Sequence, residues 1–130
     1  MKFLKAYFAA AATFLVIDLA WIGLFVRNVY DAELGSMMLA TPRVAGAVIF
    51  YVAYVAAIVY LAIRPAWQTQ SSRTALLNGG SLGAIAYGTY TLTNYALFEA
   101  WSWLLVVSDI AWGGFLTAVA ALAGYLASRR

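Results

Sequence analysis

The 130-residue sequence contains no cysteine and no histidine. Their absence removes disulfides, thiol nucleophiles, imidazole bases and the usual zinc, copper and haem ligands in one step. No metal site and no cofactor is expected, and any chemistry must come from carboxylates, tyrosines, arginines, amides and hydroxyls. Charge is nearly absent as well, at 10% of residues, where soluble domains carry about 25%. Proline occurs only twice.

What fills the chain instead is hydrocarbon. Hydrophobic residues make up 65% of it, and mean hydropathy is +0.85. That composition describes a membrane protein. About 20 apolar residues cross the hydrocarbon core as a helix, and four such runs are visible, at about 6–27, 43–63, 74–98 and 103–127. They leave no room for a separate soluble domain, so one domain is expected. The first run follows Lys2 and Lys5, but it is too long for a signal-peptide core and contains Asp18, so it reads as a retained helix. Thr41-Pro42 resembles an N-cap followed by proline at the first helical position. Arg64-Pro65 is expected to stop the second helix, because proline cannot continue the hydrogen-bond ladder. Short connections make successive helices antiparallel, which predicts an all-α, four-helix up-down bundle.

Orientation follows from the basic residues. Lys2, Lys5, Arg64, Arg73, Arg129 and Arg130 fall on one side with no acid among them. Arg27 and Arg43 fall on the other, with Asp31, Glu33 and Glu99. The excess on the first side predicts that both termini are cytoplasmic. The same bias accounts for the scattered basic residues, so no nucleic-acid partner is expected.

One pattern occurs twice. Asp18-Leu19-Ala20-Trp21-Ile22-Gly23 and Asp109-Ile110-Ala111-Trp112-Gly113-Gly114 both read D-x-A-W-x-G. Asp18 lies nine residues before Arg27, about 13 Å along a helix, and Asp109 six residues after Trp103, about 9 Å. In antiparallel helices these positions share a depth in the outer half of the bilayer. Each carboxylate costs about 2.5–3.5 kcal/mol on insertion scales, so both are expected to face the bundle interior. The other helices offer polar groups at the same level: Tyr51 and Tyr54 on the second, and Tyr87, Tyr90, Thr91 and Asn94 on the third. Arg27 or Glu99 could be an ion-pair partner. Trp21 and Trp112 are too deep for an interfacial belt, and each serves as core filler or as a wall for a planar ligand. Trp101, Trp103, Tyr30, Trp67, Tyr60, Tyr7 and Tyr125 suit the interfaces. Gly80, Ala84 and Gly88 have the small-xxx-small spacing that lets a neighbouring helix come close. A purely structural use of the aspartates, as polar glue fixing helix register, stays open beside a functional one.

Taken in order, D-x-A-W-x-G in the first helix, Arg27 and Tyr30, Phe50-Tyr51 with Tyr54, Tyr87-Gly88-Thr89-Tyr90, Leu92-Thr93-Asn94 and Ser108-Asp109-Ile110-Ala111-Trp112-Gly113 resemble the bacterial integral-membrane family catalogued as domain of unknown function 2177. The resemblance covers nearly the whole chain. It implies a four-helix protein of the bacterial inner membrane and supplies no activity, cofactor or catalytic residue. The family's third-helix motif is Tyr-Asp-Leu-Thr-Asn, whereas Thr91 occupies the second position here. If that Asp takes part in proton chemistry in relatives, this chain has lost or relocated it.

Three functions are compatible with these residues. The first is binding of a lipid or other apolar small molecule in a polar outer-half pocket, with or without catalysis by a carboxylate of raised pKa. The second is a proton-coupled transporter built as a homo-oligomer. The third is an accessory subunit packed against a larger membrane complex. Membrane lipids are the partners expected in every case.

Overall fold

The computed structural model describes residues 2–21 and 44–129. Among these the architecture is entirely helical. Helix α1 covers Lys2–Trp21. Helix α2 begins with Val44–Ile58, passes through a π-helical segment at Val59–Ile63 and continues as Arg64–Thr69. Helix α3 is Ser72–Leu97 and α4 is Trp103–Ser128. The expected Thr41-Pro42 start of α2, and Arg27 and Tyr30, lie outside the described residues.

Side-chain contacts set the directions. Phe3 meets Trp67 edge-on at one end of α1, and Tyr51 reaches Asp18 towards the other, so α1 and α2 are antiparallel. Helix α4 runs against α1, with Gly124 beside Ala6 and Ala10. Helix α3 runs against α4, with Gly79 beside Ala121 and Gly88 beside Ile110. The antiparallel four-helix bundle is therefore as expected. Its hub is α4, which packs on α1, α2 and α3, most extensively on α3. Lys2, Lys5, Arg64, Arg73 and Arg129 gather at one end of the bundle, here termed the basic end.

Three helices, Lys2–Trp21, Ala45–Thr69 and Trp103–Ser128, are long and apolar enough to cross a membrane. Helix α3, with 26 residues, has the length but carries more polar groups. Several of these are satisfied without water, as a hydrocarbon surrounding requires. The Thr89 hydroxyl donates to the Ile85 carbonyl one turn back at 2.8 Å, and Asn78 donates to the Leu61 carbonyl of α2 at 3.1 Å.

That last bond explains why Arg64-Pro65 does not end α2, contrary to expectation. Pro65 has no N–H for the ladder and would leave the Leu61 carbonyl four residues back without its helical donor. The turn before it is widened, with the Arg64 N–H reaching the Val59 carbonyl, and the Asn78 amide supplies a donor to Leu61 from the neighbouring helix. Local π geometry and side chains from adjacent helices are how membrane helices accommodate proline. The helix continues to Thr69 and is closed by Gln70 in the left-handed conformation, at φ 51°. Ser71 then caps α3 by accepting from the Thr74 N–H, and Ser102 caps α4 by accepting from the Leu105 N–H.

The α3–α4 contact is closer than side chains allow elsewhere, but its glycines are not the expected ones. A Cβ on Gly80 or Gly88 would meet ordinary van der Waals neighbours at 3.8 Å and 3.7 Å. A Cβ on Gly83 would collide with the Gly113 carbonyl, and one on Gly79 with the Thr117 carbonyl and Ala121. The face that needs glycine is therefore offset by one residue from the small-xxx-small series read from the sequence. Gly83→Ala should cost about 2 kcal/mol, in the range of overpacking a tight contact. Gly80→Ala should stay within about 0.5 kcal/mol of the parent. Unfolding of both variants in mixed detergent micelles measures the difference, and equal effects would place the close contact elsewhere.

Candidate functional site

Ala6, Ala10, Phe14 and Asp18 recur every fourth residue and form the buried face of α1. Asp18 thus continues an apolar stripe into the bundle, with only 5% of its surface exposed. Both its oxygens are engaged. The Tyr51 hydroxyl donates to Oδ2 at 2.6 Å, and the Trp112 indole N–H donates to Oδ1 at 3.2 Å. One carboxylate therefore ties α1 to α2 and to α4. Phe14 lies one turn nearer the basic end and meets both Tyr51 and Tyr54 edge-on, at 5.4 Å and 5.6 Å, which fixes the two phenols.

The second copy of the motif stands opposite the first. Trp112 stacks on Trp21 with ring centroids 4.2 Å apart and planes 10° from parallel. The indoles fill the space that a planar ligand between them would need, so as a pair they are filler. Trp112 also gives its N–H to the aspartate of the other copy. Asp109 lies three residues before Trp112, about 4–5 Å further from the basic end. It is buried, with 8% of its surface exposed. The two carboxylates both point inward, about one helical turn apart in depth.

Tyr87 lies between them. Its ring packs on Gly113, where any side chain would collide with it, and its centroid is 6.2 Å from that of Tyr54. It lies within electrostatic range of Asp18, Asp109, Tyr51 and Tyr54. Among the described residues the Tyr87 hydroxyl makes no hydrogen bond, unlike that of Tyr54, which pairs with Thr117 Oγ1 at 2.8 Å.

The remaining polar residues of α3 fall into a neighbouring group. Thr91 is fully buried and its hydroxyl accepts from the Trp101 indole N–H at 2.9 Å. Tyr90 meets the same indole edge-on at 5.7 Å but leaves about half of its surface exposed. Asn94 is half-buried, and its backbone carbonyl accepts the Phe98 N–H that closes α3. Trp101, expected at the interface, is 7% exposed and packs with Leu105 and Val106. Its N–H had a buried partner within reach, so the ring turned inward. Tyr125 is buried too, against expectation, whereas Trp103 and Tyr60 are exposed as belt residues are. Glu99 is exposed in the turn before α4, and Arg27 lies outside the described residues.

Thr117 and Gly113 belong to this region and were not among the candidates. The signal for them was present, since Asp109, Gly113, Thr117 and Ala121 recur every fourth residue and all four are buried. A model of the family described as predicted membrane protein (DUF2177) matches residues 3–126. The chain belongs to the DUF2177 family. No curated protein and no solved structure matches it. In this DUF2177 protein, Thr91 serves as the buried acceptor for Trp101.

If the Asp18 knot holds the bundle, Tyr51→Phe should lower stability by about 1 kcal/mol, the size of a strong interhelical hydrogen bond in a membrane protein. In an Asp18→Leu background the same change should cost close to nothing, giving a coupling of similar size. Additive losses in this double-mutant cycle would mean that the 2.6 Å contact contributes no stability.

Proposed function

We propose that this DUF2177 protein is a multi-pass protein of the bacterial inner membrane that binds a lipid or other apolar small molecule with a hydrogen-bonding end. The site is the region around Tyr87 in the half of the bundle remote from the basic end. The observation that carries this reading is the half-buried Tyr87, within electrostatic range of two buried aspartates and with no hydrogen bond from its hydroxyl among the described residues. A hydroxyl that meets hydrocarbon without a partner costs about 1–3 kcal/mol. A bound polar group at that position removes the cost.

Access supports the same reading. The inner parts of α2 and α3 pack together through the π segment, whereas Val44–Ile58 makes little direct contact with α3 among the described residues. Residues 45–50 are exposed, and this part of α2 is held to the bundle beyond them, through Tyr51, Tyr54, the Val52 carbonyl and the buried Val55 and Ile58. The two helices therefore diverge towards the end remote from the basic residues, with Tyr87 and Gly113 behind the gap. An amphiphile entering from the bilayer would bring its polar end to Tyr87 and leave its chain among Phe50, Ile49 and Tyr90. This reading requires no nucleophile and names no reaction. The basic end faces the cytoplasm, because the charge bias is that of inner loops.

Native mass spectrometry of protein purified from its own membrane tests the site. Tyr87→Phe and Asp109→Asn should each lower retention of one amphiphile about tenfold, the equivalent of one hydrogen bond to a charged or buried group. An unchanged set of bound molecules in both variants, with the fold intact, removes the proposal. The orientation has its own measurement. A reporter that fluoresces only in the cytoplasm should be bright when fused after Arg130, and a dark fusion with full expression would invert the topology.

A further inference from the structure

A second place on the molecule has the chemistry of a binding site and lies at the opposite end. Tyr60, Arg64 and Gln68 recur every fourth residue along one face of α2, with Leu61 and Pro65 beside them, and together they line an open groove of about 320 Å³. The groove lies where Pro65 and the π segment interrupt the regular helix. The Arg64 guanidinium lies over the Tyr60 ring, 5.2 Å from its centroid. It donates to no protein acceptor among the described residues, and the sequence has no Asp or Glu between Glu33 and Glu99 to neutralise it. Stacking on a ring fixes the plane of a guanidinium while leaving its forked N–H edge available, which is the arrangement that suits a phosphate.

The order of these residues along α2 decides between possible anions. Tyr60 and Leu61 lie one turn, about 6 Å, nearer the bilayer centre than Arg64, and Gln68 lies about 6 Å further out. Apolar surface, charge and amide thus succeed one another as acyl chain, phosphate and headgroup do in a phospholipid. We propose that this groove binds an anionic glycerophospholipid from the leaflet at the basic end, with its phosphate on Arg64, its headgroup hydroxyls at Gln68 and its chain along Leu61 and Pro65. Free phosphate would satisfy Arg64 but leave the apolar lower wall unused. The groove is remote from Tyr87, so either site can fail while the other stands.

The full chain in nanodiscs made from an equal mixture of phosphatidylcholine and phosphatidylglycerol provides the test, with retained lipid counted by native mass spectrometry. The parent should retain phosphatidylglycerol in preference to phosphatidylcholine, and Arg64→Gln should lower that retention about tenfold, more than the roughly fivefold due to one basic residue near a charged surface. Arg73 is a cation at the same end but outside the groove. In about 1 M salt, where screening acts within about 3 Å, Arg73→Gln should leave retention unchanged while the Arg64 effect persists. Equal losses in the two variants would mean diffuse attraction and overturn the site, and displacement of the lipid by excess inorganic phosphate would overturn the choice of occupant. Arg64→Lys keeps the charge for folding but loses the fork, so it should fall between the parent and Arg64→Gln. Retention equal to that of the parent in the lysine variant would also overturn the phosphate contact as drawn.

Discussion

A carboxylate inside a hydrocarbon layer has no water to turn to, and the arrangement around Asp18 follows from that constraint. Its two oxygens require donors, and the donors come from two different helices, the hydroxyl of Tyr51 on α2 and the indole of Trp112 on α4. Apolar packing discriminates weakly between alternative helix contacts in lipid, because acyl chains are as apolar as leucine. A buried acceptor with fixed donors does discriminate, since sliding any of the three helices by a turn would leave it bare. The register of α1, α2 and α4 is set at this point.

The two ends of α2 are held by different means. Near the basic end it is embedded among small residues, with Ala62, Ile63 and Ala66 fully buried and Ile63 against Gly124 of α4. Towards the other end it carries exposed Val48, Ile49 and Phe50 and is attached through the Tyr51 and Tyr54 hydroxyls, the Tyr7 hydroxyl on the Val52 carbonyl and the buried Val55 and Ile58. Between these parts lie the widened turn and Pro65, where the ladder of backbone hydrogen bonds is interrupted and the Asn78 amide substitutes for it. A helix embedded among small residues at one end, with an irregular turn in its middle and an exposed apolar face towards the other, has its more open surface at the second end. That asymmetry places the open surface beside Tyr87.

Much of this organisation can be read from the amino-acid sequence, and the failures have physical causes. The inward orientation of Asp18 and Asp109 follows from the cost of a charge in lipid, which leaves a helix little choice of face. The pairing of Tyr51 with Asp18 was accessible as a shared level but not as a bond, because depth along a helix says nothing of azimuth. Proline taken against its own helix alone predicts that α2 ends at Arg64, whereas the helix continues to Thr69. The compensating donor, Asn78, is seventeen residues further on and in another element. Gly80 and Gly88 were chosen by spacing, a criterion that Gly79 and Gly83 also satisfy, and only the rotation of α3 against α4 separates the two sets. Trp101 was assigned to the interface by its position near a helix end, yet a threonine ten residues earlier offered its N–H a buried acceptor.

The repeated D-x-A-W-x-G gains meaning from the same geometry. Two antiparallel helices whose copies of one motif meet at their tryptophans are related locally by an approximate two-fold rotation, and the stacked indoles of Trp21 and Trp112 lie where such an axis would pass. Asp18 is enclosed by Tyr51 and Trp112, and Asp109, about a turn further from the basic end, is near Tyr87 of α3. The surroundings of the two copies come from the helices between them, with Tyr51 of α2 on Asp18 and Tyr87 of α3 near Asp109. One copy has thereby become the fixed point of the bundle. The other sits beside a hydroxyl that has no hydrogen-bond partner among the described residues, so a structural motif and a candidate binding site arise from two copies of one six-residue pattern.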